Sequence, residues 1–429
     1  MKQICTGILL FMAICFLSGC TTTTAGVEEM LRAPQLAGPQ RQVQKALNSY
    51  LGEVPQLKYP LHGDTLSPFI FGDWDGNGTE DAAALYVTQG GGQNVHLAIL
   101  EQTDSGWVVT QECEGVSTSV ESVDTAAMHE NGGTQLLVGY SASSGEKYLA
   151  VYSYQDGILT EITEQPYSQY ELQDITGSGL KDLILIGPES GEGLHLQLLT
   201  TEGDFFAMAQ ELNLSPDLFA SCEGLYASQA NDGSYYLVLD GKTGTGTNLA
   251  SMIFRYNSEQ QQLEELVLPD GRHIYNETQR YSSLLKSLDI NGDGSVEIPH
   301  EIPDTNGLLA VSRLTFLEWM DYTDQLNPQK SFGIADLENG YYLALPSGWN
   351  GQVMITDGED AGSWTVRSLD GETTYLEVRM ASPVLETTEY TRLGNIGAQK
   401  VQARILEENI IKDGWTLSAA DLAAGFLVL

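Results

Sequence analysis

Three nine-residue segments place oxygen-bearing side chains at a spacing that suits a hard cation. They are Asp73-Trp74-Asp75-Gly76-Asn77-Gly78-Thr79-Glu80-Asp81, Asp174-Ile175-Thr176-Gly177-Ser178-Gly179-Leu180-Lys181-Asp182 and Asp289-Ile290-Asn291-Gly292-Asp293-Gly294-Ser295-Val296-Glu297. Each has an acid at position 1, oxygen side chains at positions 3 and 5, glycine at 4 and 6, and an acid at 9. Ca2+ takes about six to eight oxygens, and a tight turn supplies them when alternate side chains point inward and one carbonyl joins them. The glycines permit the turn. In the first loop this assigns Asp73, Asp75, Asn77 and Asp81, with the carbonyl of Thr79. In the last it assigns Asp289, Asn291, Asp293 and Glu297, with the carbonyl of Ser295. The middle loop offers Asp174, Thr176, Ser178 and Asp182, with the carbonyl of Leu180. Two hydroxyls replace stronger ligands there, so its affinity is expected to be the lowest. An EF-hand needs a glutamate at position 12, where the first and last loops carry Ala84 and His300. The competing reading is a metal-free Asx-Gly turn.

The elements that position these loops come from their spacing. The loops start 101 and 115 residues apart, taking 73, 174 and 289 as origins, about twice a blade-sized repeat. Short β-rich runs fill the gaps: 82–88, 95–102 and 106–113, then 119–124, 135–140, 148–154 and 158–162. A third unit takes 170–174, 183–187, 194–199 and 205–210, and a fourth 224–228, 235–239, 250–256 and 263–268. The fifth takes 284–289, 296–302, 314–322 and 331–336. The expected fold is mainly β: a propeller of about five four-stranded blades over 61–336, plus a small C-terminal α+β domain at 337–429. One such sheet cannot bury both faces alone, whereas radial packing buries them against neighbours. A sandwich or open array is the alternative.

The three loops resemble the FG-GAP/VCBS repeats of integrin alpha-chain propellers and many bacterial surface proteins. In that family the loop between the first two strands of a blade holds Ca2+. The second and fourth units depart from the pattern, at Asp124-Thr125-Ala126-Ala127-Met128 and Ser228-Gln229-Ala230-Asn231-Asp232-Gly233, and offer no ligand spacing. Residues 337–429 resemble the C-terminal module of clostridial VCBS-type lipoproteins. There 353–356, 363–368, 374–380 and 399–406 read as strands, and Ser418-Ala419-Ala420-Asp421 as a capping-box-like helix start.

Residues 1–19 read as a lipoprotein signal, with Lys2 ahead of an apolar run that is short for a membrane span. The run ends in Leu17-Ser18-Gly19-Cys20, which resembles a lipobox. The resemblance implies cleavage before Cys20, lipid on its thiol and a chain held at a membrane outside the cytoplasm. Residues 20–38 form the expected tether, and 39–60 a helix with Val43, Ala46, Leu47, Tyr50 and Leu51 at helical spacing. Cys113 and Cys222 fall in different units and are expected to be two buried, unpaired thiols.

The balance of 20 Lys+Arg against 58 Asp+Glu gives a net charge of −38, which excludes nucleic acid and a polybasic membrane surface as partners. It favours a neutral or cationic ligand. None of the six histidines falls in HxH, HxxxH or HExxH spacing, and there is no GxSxG, P-loop or CxxC. Gly241-Lys242-Thr243-Gly244-Thr245-Gly246 has the wrong order for a phosphate loop. Trp74, Trp107, Trp319 and Trp349 are candidates for sugar stacking or for the core. The expected function is a calcium-braced cell-surface lipoprotein that binds a protein or glycan without turnover. The alternatives are an extracellular polysaccharide lyase or hydrolase, or a structural envelope component.

Overall fold

The computed structural model describes residues 38–429 apart from 91, 131–132, 203–204, 245, 247, 303–312, 325, 359–361 and 383–388. The signal, Cys20 and nearly all of the tether therefore lie outside the described residues. The fold is mainly β, in six antiparallel sheets of four or five strands.

The first sheet pairs Asp81–Val87, His96–Thr103 and Gly106–Glu114 in sequence, and both Gln56–Leu57 and Phe69–Gly72 pair with Asp81–Val87. The next three are simple meanders. Ser119–Ala126 to Ile158–Pro166 form the second, Gln169–Gln173 to Phe205–Leu214 the third, and Phe219–Gln229 to Gln262–Glu265 the fourth. These match the four-strand units expected from alternation and turn residues. Their central strands, such as Asp182–Ile186 and Gln135–Ser141, are buried along their whole length because both faces meet another sheet.

The core is a series of interleaved layers. Ile70, Leu85 and Leu97 of the first sheet meet Val120, Leu136 and Tyr152 of the second. Leu137 and Val151 meet Leu183 and Leu185 of the third, and Ile184 and Leu196 meet Leu237 and Ala250 of the fourth. Val238 and Ile253 then meet Ile298 of the fifth. The two ends of the series are covered differently. The helix Gly38–Leu51 lays Val43 and Leu47 on Phe69, Ala82, Ala84 and Tyr86, the face of the first sheet turned away from the second. At the other end Phe332, Ile334, Tyr341 and Leu343 of the fifth sheet meet Trp364, Val366, Leu376 and Val378 of the sixth. Among the described residues no hydrophobic cluster joins the fifth sheet to the first. Leu47→Ala uncovers the end of the series and is expected to cost about 2–5 kcal/mol, read as a lowered urea midpoint; a loss below about 0.5 kcal/mol would show that the helix does not cap the sheet.

The fifth sheet departs from the sequence reading. Residues 284–289 do not form its first strand and make only one bridge, Leu288 to Glu297. The buried Arg280 side chain holds this stretch instead, its Nε donating to the carbonyl of Leu285. The sheet runs Ile298–Ile302, Leu314–Met320, Gln329–Asp336 and Tyr341–Leu345, and closes with Phe426–Val428 from the chain end. The expected division at 336/337 therefore passes through one sheet. The sixth sheet contains Val353–Asp357, Trp364–Ser368, Thr374–Ala381 and Gln399–Ile405, near the expected strands, and adds Thr391–Ile396 at its edge. Helices Glu407–Lys412 and Ala419–Ala424 follow, the second opened by a Ser418–Asp421 capping box. Cys113 and Cys222 are unpaired as expected but only half-buried. Burial still pushes their thiols up, to about 11 and about 12.

Candidate metal centre

The three acidic loops fold into one geometry. Each lies in the turn before a buried strand or bridge, and its glycines at positions 4 and 6 take left-handed φ: 74° and 83° at Gly76 and Gly78, 75° and 89° at Gly177 and Gly179, 77° and 91° at Gly292 and Gly294. A side chain at either position would be strained. The position-1 carboxylate accepts from the backbone of positions 5 and 6. Asp73 takes Asn77 N at 3.0 Å and Gly78 N at 2.9 Å; Asp174 takes Ser178 N and Gly179 N, both at 2.8 Å. Asp289 takes Asp293 N at 3.2 Å and Gly294 N at 2.9 Å.

The position-9 carboxylate turns inward. Asp81, Asp182 and Glu297 are buried and accept from the amides of Trp74, Ile175 and Ile290 at 3.2, 2.9 and 3.0 Å. Desolvation, with neighbouring acids adding to it, pushes Asp81 up to about 6 and Glu297 up to about 7, and raises Asp182 as well. Buried carboxylates without a cationic partner are costly in their charged form.

The loops differ in how completely they gather ligands. In the first, one carboxylate oxygen each from Asp73, Asp75 and Asp81 lies within 4.8 Å of the others, close enough for one ion. Asn77 bridges beside them, its Nδ2 donating to Asp75 at 2.9 Å. In the last loop the Asn291 amide stands between acids, donating to Asp293 at 2.9 Å and Glu297 at 3.2 Å. The oxygen of the same amide accepts from Asp293 N at 2.8 Å, so the Asn291 side chain is held in this orientation by the loop itself. In the middle loop the Thr176 hydroxyl donates to Asp182 at 2.9 Å, so two of its four expected side-chain ligands already satisfy each other. The donor set fits a hard divalent cation best in the first loop, and oxygen donors alone do not select Ca2+ over its neighbours.

The turns of the second and fourth units, which lack ligand spacing, hold the acidic loops in place. Thr134 N donates to the carbonyl of Asp73 at 3.2 Å, and Lys181 N to that of Ala127 at 2.9 Å, so the second unit's turn touches the first and middle loops. The fourth unit's turn grips the last loop: Gln229 N to Gly294 O at 2.9 Å, Ser295 Oγ to Gln229 O at 2.7 Å and Val296 N to Ser228 Oγ at 2.8 Å. Where the second unit's turn meets the first loop glycine is required, since a Cβ on Gly133 would lie 2.5 Å from the Trp74 carbonyl oxygen. Gly133→Ala is expected to cost about 1–3 kcal/mol by overpacking, seen as a lower Tm; an unchanged Tm would mean that the two turns do not press on one another. The sequence held this contact only as a glycine in an unmatched turn.

No family model matches the chain, and no curated protein matches it. Among solved structures, the crystal structure of the exotype rhamnogalacturonan lyase YesX is similar over 55% of this chain and 59% of its own, at 10% identity and a TM-score of 0.22. A likeness that shallow says nothing of shared chemistry.

The other candidate residues sort by burial. Trp74, Trp319 and Trp349 are almost completely buried and Trp107 is 9% exposed, so all four belong to the core rather than to a stacking surface. Among the described residues no helix is long and apolar enough to cross a membrane.

Proposed function

We propose that this chain is a calcium-braced, cell-surface binding lipoprotein, held to a membrane by lipid on Cys20 and engaging a protein or glycan without turnover. The observation that carries it is the shared geometry of the three acidic loops, each seated against the turn of a neighbouring unit. A cation in such a loop ties the loop's own strands to the next sheet and stiffens one edge of the series. The propeller expected from the repeat is, in this proposal, a row of five blade-type units, with the helix Gly38–Leu51 and the sixth sheet covering its ends. The loops and turns along the stiffened edge are the surface offered to a ligand. A glycan array run beside a polysaccharide-degradation screen on purified protein with Ca2+ tests the reading. Retention of a defined ligand without cleavage is the expected result, and turnover of any polysaccharide overturns it.

A further inference from the structure

The sixth sheet carries a charge pattern opposite to that of the chain. Its strands bear Arg367, Arg379, Arg392, Lys400 and Arg404 against Asp357 and Glu377, five basic to two acidic residues, in a chain of net charge −38. Its apolar face, with Trp364, Val366 and Val378, is spent on the fifth sheet. A cavity of about 370 Å³ is bordered by Thr356, Asp357, Thr365, Arg367, Glu377 and Arg379, with Tyr390 completing the wall. That volume suits a small ligand.

Several of the groups around the cavity are held by neighbours, with an exception. Arg379 donates to Gln402 Oε1 at 3.2 and 3.3 Å and lies 3.7 Å over the Tyr390 ring. Tyr390 in turn donates to Glu377 at 3.0 Å, and Arg404 approaches the same carboxylate at 3.9 Å. The hydroxyls of Thr356 and Thr365 meet across the strands at 2.7 Å. The exception is Arg367. Its Nε is buried without a hydrogen-bond partner, and no carboxylate of the described residues pairs with it. The buried Nε lies out of reach of solvent, and among the described residues the terminal nitrogens of this cavity-lining side chain make no hydrogen bond or ion pair, so they are the N–H groups a ligand in the cavity can meet. The group that matches the parallel N–H donors of a guanidinium is a carboxylate. The threonine hydroxyls and the Asp357 and Glu377 carboxylates beside it are partners for hydroxyl groups.

We propose that this cavity binds a sugar acid, its carboxylate on Arg367 and its hydroxyls on the surrounding threonines and acids. The negative field of the molecule repels anions at long range, so binding of a carboxylate here rests on the local guanidinium of Arg367. The site does not depend on the acidic loops, and its test separates the two. D-glucuronate, D-glucose and acetate are titrated calorimetrically into the purified chain, with Ca2+ and with chelator. Saturable binding of glucuronate in both conditions is expected, at least about tenfold tighter than glucose or acetate. Arg367→Met is expected to abolish it and Arg367→Lys to weaken it at least about tenfold, since an ammonium is a point charge rather than a fork. Without ligand, the Tm of Arg367→Met should equal or exceed that of the parent. Should that variant fold poorly, Thr356→Val provides the second reading, with weaker glucuronate binding expected. The proposal is overturned by absence of saturable glucuronate binding, by equal affinity for glucose or acetate, or by full binding in Arg367→Met. Loss of glucuronate binding under chelator alone would also overturn it, because it would place the ligand at the acidic loops.

Discussion

Arg280→Met is expected to destabilise the chain by about 3–5 kcal/mol. Arg280 and Asp240 are both fully buried, and Nη2 stands 2.9 Å from Oδ1, an ion pair without the alignment of a hydrogen bond. The rest of the carboxylate is satisfied around it: Ser251 Oγ and Ser287 Oγ donate to Oδ1 at 2.5 and 2.7 Å, and Ser287 N donates to Oδ2 at 2.6 Å. Arg280 in turn donates through Nη1 to Ser251 Oγ at 2.8 Å and to the Thr278 carbonyl at 3.0 Å. Removing the guanidinium leaves a buried carboxylate with no cation, which is the expensive outcome. It also frees 278–287, the stretch that takes the place of a first strand in the fifth unit. Pairing the change with Asp240→Leu removes the orphaned charge and is expected to recover a large part of the loss. Urea unfolding of both single variants and the double variant measures this. A single-variant loss below about 1 kcal/mol would show that the pair does not anchor the segment.

Ca2+ added to protein stripped of divalent ions is expected to raise Tm, with each site contributing about 2.7 kcal/mol when the free ion stands at about 100 times its Kd. The first loop should lead, because it alone gathers three carboxylates within reach of one ion. Asp75→Asn isolates it. The side-chain oxygen that accepts from Asn77 N at 3.0 Å is retained in an amide and holds the turn, while one ligand charge and the exposed bond from Asn77 Nδ2 to the other oxygen are lost. The metal-free Tm of this variant should match or slightly exceed that of the parent, since three clustered acids repel one another. Its Ca2+ increment should shrink by the share of one site. A Tm indifferent to millimolar Ca2+ in the parent would leave the loops as metal-free turns.

Particular residues show what the sequence could and could not convey. Four-strand units were legible because alternation and glycine turns are local, as in Tyr235–Thr243. The carboxylate spacing of the loops was legible for the same reason. The fifth unit was not, because its order depends on Arg280 reaching Asp240, 40 positions earlier in the chain (280 − 240), and on Phe426–Val428 returning from the terminus. Periodicity carries no trace of either. The docking role of the second and fourth turns was hidden behind an absence, the missing ligands. Arg367 was hidden too: the count of 20 Lys+Arg against 58 Asp+Glu averages away five basic residues that pairing brings onto one sheet.

The covered ends of the series bear on how such a chain can change in length. A closed ring fixes its number of members through the angle each must subtend, so gaining or losing one forces every neighbour to readjust. A row terminated by a helix on one side and a different sheet on the other obeys no such sum. An internal unit and its turn could be duplicated or deleted while the two terminators, and the contacts between adjacent units, stay as they are. Length in this architecture is then open to insertion, one unit of about 50 residues at a time.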